Sequence, residues 1–113
     1  MMDKDKIILQ EKENDGQTVY VYYDQMAGMY LAFGLSAFYT TLITDPCLSY
    51  SDVMQMPVAI LAKNHILYLR QSLHIEEHIM KSFYRFKLKS FVGDAGYEKW
   101  LQKNVENKPV TNQ

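Results

Sequence analysis

Hydrophobic and polar positions divide the chain into blocks. Lys6 to Lys12 holds a short apolar run, Ile7-Ile8-Leu9, and Thr18 to Tyr23 is rich in β-branched and aromatic residues. Between them, Glu13-Asn14-Asp15-Gly16-Gln17 contains Asp-Gly, the dipeptide that supplies a tight hairpin loop with its positive φ. The pattern predicts a β-hairpin over 6–24. Its second strand carries large side chains on both faces, Tyr20 and Tyr22 on one of them, so it is expected to be covered on both sides.

Asp24 has the chemistry of a helix N-cap, and Gln25 to Thr44 then runs without a charge until Asp45-Pro46 stops it. An uncharged stretch of that length raises the question of a membrane span. Gln25, Ser36, three Thr and two Tyr, with no basic flank, argue instead for a buried central helix over 25–44 and for no membrane contact. Along such a helix Gly28, Ala32, Ser36 and Thr40 recur every four residues and form a column of small side chains. That groove suits the close approach of another element, within the chain or across a two-fold axis.

Residues 45–57, bracketed by Asp45-Pro46 and Pro57, read as a connector. From Val58 to Val92 there is neither Gly nor Pro. A helix over 58–71 is predicted from the polar pairs Lys63-Asn64 and Arg70-Gln71; a second hairpin at 58–70 is the alternative. A helix over 72–92 follows, with Ile75, Ile79, Phe83 and Phe86 inward and Lys81, Arg85 and Lys89 as an outer stripe. Gly93 ends it, and a last helix over 96–106 places Trp100 and Leu101 inward. The expected fold class is α+β: an N-terminal hairpin packed on three or four helices, one domain over 1–106, and a frayed tail at 107–113.

Composition narrows the function classes. The 113 residues carry a net charge of −1, 48% hydrophobic residues and a single cysteine, Cys47. These values fit a globular chain and exclude an intramolecular disulfide framework and any multi-cysteine metal cage. After Met1-Met2, residues Asp3 to Lys6 alternate acids and bases and do not resemble a secretory signal, so a cytoplasmic location is expected. Charge is uneven: residues 1–60 hold three bases and eight acids, residues 61–113 nine bases and five acids. That asymmetry fits a basic binding face or attraction between the two halves.

Two segments carry candidate chemistry. His74-Ile75-Glu76-Glu77-His78 reads as His-x-x-Glu-His and resembles the inverted zinc-peptidase signature of the inverzincins, over these five residues alone. On a helix His74 and His78 would share a face and hold Zn²⁺, while Glu77 polarises a bound water. A small metal-dependent hydrolase is therefore one alternative. The other is a nucleic-acid binder using Lys81, Arg85 and Lys89 beside the aromatics at 83–86. No glycine-rich phosphate loop is present. Nine Tyr, five Phe, one Trp and seven Met favour a non-catalytic reading, since aromatics and Met are enriched at interfaces. The expected function is a protein-interaction or self-assembling module without a cofactor. Its expected partner is a second copy or another protein, and the expected interface is Gly28, Ala32, Ser36, Thr40, Tyr20 and Tyr22.

Overall fold

A computed structural model describes residues 3–106. The chain orders as α1 (Lys4–Lys12), β1 (Thr18–Asp24), β2 (Met29–Phe33), α2 (Gly34–Thr41), β3 (Cys47–Ser51), β4 (Met56–Leu61), α3 (Lys63–Ser72), β5 (His74–Ile79), β6 (Phe83–Lys87) and α4 (Tyr97–Leu101), which continues as a π-helical turn over Gln102–Glu106. The strands form one antiparallel sheet in the order β3-β4-β2-β1-β6-β5. The architecture is mixed α+β but strand-rich. A hairpin packed on three or four helices is not what forms.

The predicted first strand is helix α1. Asp3 caps it, its Oδ1 accepting from the Lys6 N–H at 3.2 Å, and Ile7 and Glu11, four residues apart, are its buried positions. Gly16, at φ 83°, turns the chain from α1 into β1. The predicted helix over 25–44 divides in two. The Asp24 carboxylate accepts from the Met26 N–H at 3.1 Å and closes a turn instead of capping a helix. Gly28, at φ 67°, completes that turn, and the chain returns as β2. Gly34, at φ 57°, then bends it into α2. A Cβ at Gly34 would lie 3.2 Å from the Met56 sulfur and 3.4 Å from the Glu11 Cβ.

The predicted connector contains β3. The segment 58–71 is strand to Leu61 and helix from Lys63, so neither the single helix nor the hairpin at 58–70 forms. His65 Nδ1 accepts from the Ala62 N–H at 2.9 Å and helps to start α3. The predicted helix over 72–92 is the β5–β6 hairpin. The chain is helical at 97–101, within the expected 96–106 segment. The expected tail at 107–113 lies outside the described residues. No helix is long and apolar enough to cross a membrane among the described residues.

Strand alternation gives the sheet two unlike faces. The first carries Val19, Val21, Ala32, Ala59, Leu61, Tyr84, Phe86 and Leu88, covered by Ala37, Phe38 and Tyr39 of α2 and by Ile66 and Leu69 of α3. Trp100 of α4 packs on this core, 5.3 Å from the Phe38 ring. The second face has a smaller cluster, Tyr22, Phe33, Met54 and Val58, closed by Ile7 of α1.

Candidate interaction surface

The sheet has two edges, and they are built differently. At the β5 edge, pairing jumps from Ile75↔Phe86 to Glu77↔Arg85, leaving Glu76 as the extra residue of a bulge. Both glutamates reach Arg85, Glu76 at 3.5 Å and Glu77 at 3.2 Å, and Glu76 lies 4.0 Å from Lys87. Lys87 in turn donates to Asp15 at 2.8 Å. Burial works against the Asp15 charge, but the bonds from Lys87, Thr18 and Gln17 hold its carboxyl down at about 2. His78 stacks on Tyr84 with ring centroids 3.9 Å apart. A bulge and a row of charges are devices that stop an edge from pairing with another chain.

The β3 edge has neither. Cys47-Leu48-Ser49-Tyr50-Ser51 carries no charge and no proline, and its register with β4 runs unbroken from Cys47↔Ile60 to Ser51↔Met56. Cys47 and Tyr50 are exposed and the other three half-buried. The π-helical turn packs beside β3, yet among the described residues no backbone hydrogen bond reaches this strand except from β4. Val53, just beyond the strand, is 64% exposed.

The residues singled out in the sequence are scattered by this fold. Gly28 is exposed in the β1–β2 turn, Ala32 is on β2, and Ser36 and Thr40 are on α2; the last three are fully buried. Their smallness serves packing inside the chain, as where Ala32 faces Ala59 across β2 and β4. No helical column exists to form a seam. Tyr22 is buried and its hydroxyl donates to the Gln10 side chain of α1, while Tyr20 is half-buried near Phe83.

His74 and His78 lie on a strand, where four residues span roughly 13 Å, so the helical proximity the zinc reading needs is lost. Glu77 pairs with Arg85. Among the described residues no group of three His, Cys, Asp or Glu side chains could hold a metal ion. Micromolar Zn²⁺ is accordingly expected to leave the melting temperature unchanged. A rise that His78→Ala removes would show that the two imidazoles do converge.

The basic stripe is dispersed too. Lys81 is in the β5–β6 turn at φ 56°, Arg85 is bound by two glutamates, and Lys89 lies beyond β6. An open cleft of about 770 Å³ lies between α1 and the β5–β6 turn, with Tyr22 and Phe83 among its lining. Lys4, Lys6, Lys81 and Arg85 share it with Asp3, Asp24 and Glu77, so it gathers no single sign of charge.

The feature missed in the sequence is Glu11. It is 5% exposed, and its carboxylate accepts from the Ser36 N–H at 3.0 Å and the Ser36 hydroxyl at 2.6 Å. Ser36 Oγ also accepts from the Tyr20 N–H at 2.9 Å, filling the place beside β1 that β2 vacates when it turns into α2. Burial pushes the Glu11 carboxyl up from its usual 4.5 to about 7, against the bonds from Ser36 and Asn14. Comparison with protein-family models, with curated proteins and with solved structures finds no match to this chain.

Proposed function

We propose that this chain is a non-catalytic self-assembling module whose partner is a second copy of itself, joined along β3. The observation that carries this reading is the contrast between the two edges, one bulged and charged, the other regular and uncharged. An edge strand with free N–H and C=O groups is a template for a further strand. Pairing with itself suits an uncharged strand, because a two-fold axis sets like residues near one another and like charges there repel.

Antiparallel self-pairing centred on Ser49 overlaps all five residues. Leu48 then faces the second copy's Tyr50, and Cys47 faces its Ser51. The six-stranded sheet would continue through the axis into its copy. Sedimentation is expected to show a dimer at high micromolar concentration. Ser49→Lys, which sets two ammonium groups opposite each other, is expected to yield monomer with unchanged circular dichroism. Ser51→Cys is expected to give an oxidised dimer through Cys47, since directly opposed side chains come close to disulfide distance. A parent chain that sediments as monomer throughout this range would overturn the proposal.

A further inference from the structure

We infer that α1 is a detachable cover for the second face of the sheet, held down while Glu11 is neutral and released when it ionises. The inference does not depend on β3 pairing. It starts from how little fastens this helix. Of its nine residues only Ile7 and Glu11 are buried, and Leu9 is 51% exposed. A helix that short has little stability of its own and forms only where it is docked. Its docking rests on Ile7 in the Tyr22–Phe33–Met54–Val58 cluster with the half-buried Ile8 beside it, on the Gln10–Tyr22 hydrogen bond, and on the Glu11 carboxyl at Ser36.

That carboxyl is buried. Among the described residues no ion pair reaches it. Tyr20 and Tyr22 of β1 and Tyr39 of α2 feel its charge, and burial, reinforced by that charge, pushes all three hydroxyls upward, so they stay neutral near pH 7. The hollow beside it also holds Lys12, exposed on α1 itself, and Asp94, an exposed acid from the segment before α4. Asn14 and Ser36 supply the hydrogen bonds. When neutral, Glu11 keeps its contacts with the Ser36 hydroxyl and N–H without burying a charge. When ionised, Glu11 sits buried with hydrogen bonds alone. Undocking α1 returns the carboxylate to water and uncovers the apolar cluster.

Hydrogen–deuterium exchange on the full chain tests this, with the β6 amides as internal reference. With the carboxyl near 7 when docked and near 4.5 in water, docking should weaken about tenfold between pH 6 and pH 8. The α1 amides are expected to be less protected than those of β6 at each pH and to lose about tenfold in protection over that range, β6 falling in parallel because global opening also exposes Glu11. Glu11→Gln should abolish the loss. Ile7→Ala should lower α1 protection at both pH values while preserving the tenfold change. Should Glu11→Gln not fold, Glu11→Met serves as the neutral control. Equal protection of α1 and β6 would overturn the inference, because α1 would then open only with the whole fold. Unchanged protection in the parent chain would overturn it too.

Discussion

Phe86→Ala is expected to destabilise the fold by about 3–5 kcal/mol, and Phe83→Ala by much less. Phe86 is fully buried on the first face, parallel to the Tyr84 ring at 5.1 Å and paired with Val19 of β1 and Ile75 of β5. Truncation removes its contacts and leaves a cavity beneath α2 and α3 that a sheet, held by hydrogen bonds on both sides, closes only in part. Phe83 points to the second face, half-exposed, with Tyr22 at 5.4 Å as its nearest ring partner. Urea denaturation should show the midpoint falling steeply for Phe86→Ala and slightly for Phe83→Ala, at similar slope. The pair discriminates between folds. On a helix, residues three apart share a face and the two costs would be similar; on a strand they oppose each other.

Stability of the parent chain is expected to fall as pH rises from about 4.5 to 7, and Glu11→Gln is expected to remove that fall. A group whose native pKa lies above its unfolded value keeps, between the two, a proton that the unfolded chain has lost, so stability declines through that window. For Glu11 the window runs from its usual 4.5 to about 7, which corresponds to about 3 kcal/mol. Above the window Glu11→Gln should be the more stable protein by up to that amount. Below it the two should coincide, because glutamine reproduces the neutral acid's bonds to Ser36. Asp15 acts in the opposite sense and lower: its depressed carboxyl adds stability that is lost as pH falls through about 2. The two effects separate on the pH axis. Thermal or urea titrations at pH 2, 4, 6 and 8 measure both slopes, and a parent profile between pH 4 and 8 as flat as that of Glu11→Gln would refute the assignment.

Much of β1 was legible, because Thr18 to Tyr23 concentrates β-branched and aromatic residues whose preference for a pleated surface is local. The conformational demand at Gly16 was legible too, although the turn leads from a helix and not from a strand. Spacings of four were not decisive, for a geometric reason. Residues four apart share a face on a helix and on a regular strand alike, so Gly28-Ala32-Ser36-Thr40 fits both, whereas for His74…His78 the bulge at Glu76 intervenes and sets the two imidazoles on opposite faces, across from Lys87 and Tyr84. The uncharged run 25–44 adds no phase of its own. It breaks at Gly28 and again at Gly34, both at positive φ, and at Gly34 a Cβ would crowd Met56 and Glu11. In the segment 83–88, the alternation Tyr84, Phe86, Leu88 was the strand signal, but it competed with an equally consistent helical reading of Ile75, Ile79, Phe83 and Phe86. Pairing of β6 with both β1 and β5 decided between them.

By itself the sequence determined a mixed α+β chain with one strongly β-forming segment, a helix near its C-terminal end, and too few cysteines for any cage. Those properties follow from residue type and near neighbours. Tertiary structure decided the rest: that Ile7 caps an apolar cluster from a helix, that Glu11 is stripped of water beside Ser36, and that β3 lies at an edge while β1 lies inside. Burial and strand order arise from contacts between residues far apart in the chain. A glutamate at position 11 has the same local chemistry whether it meets solvent or the N-terminal turn of α2, and only the packing of α1 on the sheet settles which.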